Sequence, residues 1–267
     1  MSFLRLESSH AKYSAEGLRF LTFMSPALGG RGTASFYLPE GWEAMRDLPL
    51  VLVLHGVYGD HWSWAFMGGA HRRAAGMIER GEIPPMALAM PSDGLFGEGS
   101  GYVNHPGRAC ESWIVDDVVG CAREAFPCFA AASPLFVTGF SMGGFGALRL
   151  GAKYADRFRG IGAHASATRY EHLARFFAEP RGDESHLREE DRSALHWMRA
   201  NRAILPPIRF DCGADDILVD HSRELHAQLD AEGIPHAYEE LPGRHSWDYA
   251  HEHLGDSLKF FGGMLAK

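Results

Sequence analysis

The chain has too little cysteine for a disulfide scaffold: four in 267 residues, at Cys110, Cys121, Cys128 and Cys212. None is spaced as Cys-x-x-Cys, so neither a zinc knuckle nor a dithiol redox site is expected, and the thiols read as reduced and buried. The sequence also lacks an unbroken apolar run of membrane-span length, about 18 residues. Its first ten residues, Met1 to His10, carry early charge and have no hydrophobic stretch of signal-peptide length, so a cytoplasmic location is expected. Positive charge is short as well. Lys and Arg number 26 against 34 Asp and Glu, a formal net charge of −8, which argues against nucleic acid or an anionic membrane as partner. Fifteen histidines raise the question of a metal, yet no His-Glu-x-x-His is present, and they read as core or solvated side chains. No metal and no cofactor are expected.

What is present is a core. Hydrophobic residues make up 46% and charged residues 22%, the balance of a soluble α/β chain of this length folding as one domain over residues 1–267. The most telling stretch is Thr138-Gly139-Phe140-Ser141-Met142-Gly143-Gly144, a Gly-x-Ser-x-Gly pattern between an apolar run (Pro134 to Val137) and a small-residue segment (Phe145 to Lys153). Strand, sharp turn, helix is the context of a nucleophile elbow. There the serine sits in a strained conformation and glycines two residues either side keep the turn free of side chains.

The remaining elements alternate. Residues 17–25 and 33–38 predict an antiparallel hairpin turning at Gly29 to Gly32. Leu48 to His55 predicts a central parallel strand, followed by the glycine-containing turn His55-Gly56-Val57-Tyr58-Gly59. A helix is expected from about Ala70 to Arg80, a strand at Met86 to Met90, a long polar loop from Pro91 to Gly107, and a helix from Glu111 to Phe126. Strands are expected again at Phe158–Ala165, Pro207–Cys212 and His236–Leu241, with helices at Leu218–Glu232 and Asp248–Leu265. This is a mostly parallel, doubly wound sheet with an N-terminal antiparallel hairpin. Residues 170–205 break the pattern. They are dense in charge, with runs at Arg181–Glu184 and Arg188–Arg192, and read either as a small helical insertion covering part of a site or as a pair of solvated surface helices.

A serine hydroxyl needs an imidazole to take its proton and a carboxylate to hold that imidazole in the correct tautomer. Downstream of Ser141, Asp215 and Asp216 follow one strand and His245 follows the last, in the order serine, acid, histidine. One of the two aspartates reads equally well as a helix N-cap.

Leu54-His-Gly-x-x-Gly59, Met90-Pro-Ser-Asp-Gly94, Gly139-Phe-Ser-Met-Gly-Gly144, Cys212-Gly-Ala-Asp-Asp216 and Gly243-Arg-His-Ser-Trp247 occur in that order along nearly the whole chain. In these motifs the chain resembles the esterase D-like family of the α/β-hydrolase superfamily, whose relatives include tributyrin esterases, S-formylglutathione hydrolases and feruloyl esterases. The resemblance implies an α/β-hydrolase fold with Ser141 as nucleophile, His245 as base and Asp216, fourth in its turn, as acid. It also implies oxyanion donors at the backbone N–H groups of Met142 and of Val57 or its neighbour. The expected activity is that of a serine carboxylesterase on small, short-acyl esters. Thioester hydrolysis of the S-formylglutathione type and a non-catalytic binding protein are the alternatives. S-formylglutathione hydrolases carry a cysteine near the oxyanion turn, where this chain has Val57-Tyr58-Gly59, and Ala250 stands where the family often has a bulky residue after the His-x-Trp. Tyr58, Trp62, Trp64 and Trp247 are candidate substrate-binding residues, although packing beneath the loops would explain the tryptophans equally. The expected partner is a small ester; self-association is left open.

Overall fold

The structure is a computed structural model that describes residues 3, 5–178 and 183–265. Among the described residues nine strands form one sheet: β1 (Glu7–Ser8), β2 (Leu18–Ser25), β3 (Gly30–Tyr37), β4 (Leu50–Leu54), β5 (Ala87–Pro91), β6 (Leu135–Gly139), β7 (Phe158–His164), β8 (Ile208–Gly213) and β9 (Ala237–Leu241). Their order across the sheet is β1-β2-β3-β5-β4-β6-β7-β8-β9. The pairs from β1 to β5 along that order are antiparallel, and every pair from β5 onward is parallel. The helices are α1 (Ser63–Phe66), α2 (Ala70–Glu79), α3 (Cys110–Ser112), α4 (Val119–Ala125), α5 (Met142–Lys153), α6 (Glu189–Arg192), α7 (Ala194–Ala200), α8 (Val219–Ala231) and α9 (Trp247–Leu265).

β4 shows why this is a doubly wound sheet. All five residues are buried, and their alternation divides them between two cores. Leu50, Leu52 and Leu54 join Val137, Trp113 and Phe145 on one face. Val51 and Val53 join Phe136, Trp64 and Phe261 on the other. Both faces are covered by helices, so the strand reads as an unbroken apolar run.

Two expectations need adjusting. The hairpin turns at residues 26–29, and Gly30, Arg31 and Gly32 already lie in β3, paired with Ser25, Met24 and Phe23. Gly32 is a packing glycine: a Cβ there would fall 2.3 Å from the Trp113 ring. The helix expected from Glu111 is also not uniform, since Trp113–Val118 is a π-helical stretch between α3 and α4. Within it Asp117 accepts hydrogen bonds from the Ser25 hydroxyl and the Ala27 amide, tying the stretch to the hairpin turn.

Behind the Gly-x-Ser-x-Gly turn, α5 is buried along nearly its whole length, including Arg149 at 0% exposure. The Arg149 guanidinium bonds to the Tyr102 carbonyl at 2.9 Å and pairs with Glu111, which also holds Lys153 and the Tyr154 hydroxyl. A buried guanidinium is tolerable only with such partners. Between β7 and β8 lie a 3₁₀ segment (Tyr170–Phe176), α6 and α7; Arg181 and Gly182 of the charge run lie outside the described residues.

Candidate active site

Ser141 stands between β6 and α5 with φ 60° and ψ −119°, a left-handed conformation that a non-glycine residue adopts only under constraint. The constraint is visible. The Ser141 amide donates to the His164 carbonyl at 3.0 Å, and the Ser141 carbonyl accepts from Phe145 one turn into α5. The glycines are required by their surroundings rather than by φ. A Cβ on Gly139 would lie 2.3 Å from the Gly143 carbonyl oxygen, one on Gly143 2.0 Å from that of Leu54, and one on Gly144 1.9 Å from the Ser166 hydroxyl.

The other two side chains reach Ser141 from the ends of β8 and β9. These ends are laced together: Ala214 N–H donates to the Leu241 carbonyl at 2.7 Å and Asp215 N–H to the Gly243 carbonyl at 3.0 Å. Gly243, at φ 143°, leaves room for the Tyr249 ring, and Ser246 opens α9 by accepting from the Tyr249 amide. The result is a continuous line of three groups. His245 Nε2 lies 3.0 Å from Ser141 Oγ, and His245 Nδ1 lies 2.9 Å and 3.1 Å from the two oxygens of Asp216. Asp216 is buried, whereas Asp215 is exposed and takes part through its backbone. Asp216 also accepts from the Leu218 amide at 2.8 Å, so the N-cap-like contact and the imidazole contact fall on the same carboxylate. Phe140 and Phe176 lie nearly parallel to the imidazole, with ring centroids at 4.6 Å and 5.5 Å.

The turn after β4 presses against the serine: a Cβ on Gly56 would stand 3.3 Å from that of Ser141. Tyr58, at φ 58°, has its amide committed to the Glu98 carbonyl at 2.9 Å. Met142 opens α5, so its amide has no carbonyl one turn behind it to accept its hydrogen.

The four candidate substrate residues separate. Tyr58 and Trp62 are exposed at 62% and 43% and line a cavity of about 500 Å³ with Asp93, Leu95 and Glu98. Trp64 does not belong there. It is 1% exposed, donates its indole N–H to the Leu54 carbonyl at 2.8 Å and meets Trp247 edge-on at 5.3 Å, so it is a core residue. Trp247 is half-buried and packs against Trp64 and Phe140, the ring that lies over the imidazole.

Sequence reasoning missed a second, fully buried line of polar groups behind Ser141. His164 Nδ1 lies 2.8 Å from Asp211 Oδ2, its Nε2 lies 3.0 Å from Ser257 Oγ, and the Tyr249 hydroxyl donates to Asp211 Oδ1 at 2.8 Å. Burial pushes the Asp211 carboxyl up, but the neighbouring His164 and Arg209 outweigh it and hold it below the usual range. The signal was confined to polar residues within two otherwise apolar strands, His164 in β7 and Asp211 in β8. Their pairing, His164 opposite Asp211, is a matter of register.

Known proteins share this arrangement of the chain. An acetyl esterase of Caldicellulosiruptor saccharolyticus is 28% identical over 233 residues, covering 80% of this chain and 84% of the relative. An esterase of Mycobacterium tuberculosis is 24% identical over 260 residues, with 85% of this chain but 55% of the relative covered. Among solved structures, a ferulic acid esterase superposes with a TM-score of 0.78 at 20% identity, over 97% of this chain and 100% of the other. An S-formylglutathione hydrolase from Agrobacterium tumefaciens superposes with a TM-score of 0.76 at 17% identity, over 99% and 100%. These likenesses establish the α/β-hydrolase fold. Residues 25–261 match the model of the family described as "Putative esterase", and with nearly the whole chain inside that match, the protein belongs to this esterase family.

Proposed function

We propose that Ser141, His245 and Asp216 carry out the ester hydrolysis, and that the esters are small ones with short acyl groups. The observation that carries this reading is the 3.0 Å contact between Ser141 Oγ and His245 Nε2, with Asp216 closing on the opposite ring nitrogen. In this mechanism His245 takes the Ser141 proton as Oγ attacks the ester carbonyl. The N–H groups of Met142 and Val57 hold the developing oxyanion, each contributing about 3–4 kcal/mol in comparable sites. The Tyr58 amide is engaged with Glu98, which favours Val57 as the second donor. His245 then protonates the departing alcohol, and water releases the acyl group by the same route. Tyr58 and Trp62, at the 500 Å³ cavity, would receive the substrate. Phe176, beside the imidazole, supports reading the described part of residues 170–205 as a cap over the site. Four unpaired, buried cysteines fit a reducing, cytoplasmic setting.

A fluorophosphonate probe tests the nucleophile. Labelling of the wild type and none of a folded Ser141→Ala variant is expected, and an unlabelled wild type would leave a hydrolase-fold binding protein. Turnover of p-nitrophenyl acetate, butyrate and octanoate against S-formylglutathione decides between the short-acyl ester and the thioester, since pocket shape rather than the three reacting groups sets that choice.

A further inference from the structure

Among the described residues, one group of three side chains is arranged as metal ligands: His226, Asp230 and His236, each offering an atom within 4.8 Å of the other two. His226 and Asp230 are one turn apart on α8 and share a face; His236 stands just before β9. Protons decide what this cluster can do. His236 Nδ1 lies 2.9 Å from the Ile234 carbonyl, which can only accept, so Nδ1 carries the hydrogen and Nε2 presents a lone pair. That Nε2 lies 2.8 Å from His226 Nδ1 and 3.9 Å from Asp230 Oδ1. If a neutral His226 gives its single N–H to His236, its Nε2 turns a second lone pair toward Asp230 Oδ2, 3.6 Å away. Three sets of lone pairs then converge with one hydrogen among them. A cation resolves this.

We propose that His226, Asp230 and His236 form a structural site for a borderline divalent transition metal, with zinc as its representative. His236 would bind through Nε2, His226 through Nδ1 with its hydrogen moved to Nε2, and Asp230 through Oδ1, leaving a fourth position to water. Two imidazoles and one carboxylate select zinc, nickel or copper over magnesium or calcium, which prefer all-oxygen shells. Zinc–nitrogen bonds of about 2.0–2.1 Å in a tetrahedron set ligand atoms about 3.3 Å apart. The observed 2.8 Å and 3.9 Å bracket that spacing, and His226 and Asp230, 40% and 65% exposed, have room to adjust. His236, at 3% exposure, is already oriented. The Ile234 carbonyl holds its ring as second-sphere acceptors hold zinc-bound histidines, and Phe210 stacks beside it at 5.6 Å. The spacing His-x₃-Asp-x₅-His straddles a helix end and a loop, which is why the sequence showed only ordinary histidines.

The site lies at the amino end of β9, whereas Ser141, Asp216 and His245 follow the carboxyl ends of their strands. It therefore staples the edge strand to α8 without entering the chemistry. Zinc titrated calorimetrically into the tag-free, chelator-treated chain at neutral pH should bind as one ion per chain and raise Tm by a few degrees at saturation. Magnesium should do neither. His226→Ala and Asp230→Asn, both at partly exposed positions, should each weaken binding at least about tenfold while esterase turnover stays at the wild-type level. His245→Ala should retain the zinc stoichiometry, which separates this site from the active-site imidazole. Absence of zinc binding, or binding that survives both α8 substitutions, would reduce the cluster to an ordinary hydrogen-bonded histidine pair and overturn the proposal.

Discussion

Tyr58, in the turn after β4, donates its phenol hydrogen to the carbonyl of Phe176, in the 3₁₀ segment between β7 and β8. The bond joins the turn that abuts Ser141 to the segment whose aromatic ring lies beside His245, two stretches of chain that the sheet alone would not hold together. Tyr58→Phe keeps the ring and removes the bond, a loss of about 1 kcal/mol for a neutral hydrogen bond. KM for p-nitrophenyl butyrate should rise roughly fivefold, with kcat changed far less, because the bond shapes the entrance and not the reacting atoms. A fall in kcat with constant KM would instead place the phenol in the chemical step.

The adjacent aspartates give a sharper contrast. Asp216 is buried with both oxygens within 3.1 Å of His245 Nδ1, and Asp215 is exposed. Asp216→Asn presents an amide to the imidazole, favours the wrong tautomer and should lower kcat roughly ten-thousandfold, as in comparable sites. Asp215→Asn should leave kcat/KM within about twofold, because its contribution is a backbone N–H to Gly243 that the substitution preserves. Steady-state rates on one ester, with circular dichroism to confirm folding, check both.

The alternation of strands and helices and the three converging side chains were legible because local chemistry forces them. Gly-x-Ser-x-Gly admits few backbones, and a histidine after the last strand has one place to go. The aspartate needed more: spacing left two candidates, the family resemblance pointed to Asp216, and the structure buries Asp216 against the imidazole while Asp215 stays exposed. The tryptophans were not legible. Trp62 and Trp64 are neighbours in sequence, yet two residues' rotation about α1 sends one to the cavity and the other under β4. The π-helical stretch was hidden for a related reason, since its apolar positions fit a regular helix and its wider backbone hydrogen-bond pattern leaves no mark in them. His164 and Asp211 depend on the register of β7 against β8, a long-range property that no local pattern encodes.

The division between those tryptophans is measurable. Trp64→Ala removes a fully buried indole and one of the two hydrogen bonds at the Leu54 carbonyl, which keeps the Phe140 amide, so it should cost about 3–5 kcal/mol of stability and lower Tm steeply. Trp62→Ala should leave Tm nearly unchanged, because the ring is 43% exposed, and should shift KM across an acyl or alcohol series through the cavity it lines. If Trp62→Ala were kinetically silent on every ester, the cavity would not be where substrate sits.

His172 and His221 stack face to face, ring centroids 3.5 Å apart, and join the 3₁₀ segment to the start of α8. Burial, then the neighbouring His221 ring, brings His172 down to about 4, and burial likewise lowers His221. Glu171 opposes the His172 shift, while Arg169 and Arg175 reinforce it. In an unfolded chain both imidazoles titrate near 6.5. Between that value and about 4 the unfolded chain binds protons that the folded pair refuses, so stability is complete above about pH 6.5 and declines as pH falls through this window. Thermal unfolding from pH 7.5 to about 4 should therefore show a falling Tm, and His172→Phe, which keeps an aromatic ring on His221, should flatten that decline. The variant also loses the weak contacts of His172 Nδ1 with Thr168 and Arg169. That loss lowers Tm equally at every pH, so the slope, and not the offset, reports the protonation. Parallel curves for wild type and variant would show that the pair contributes nothing to acid sensitivity.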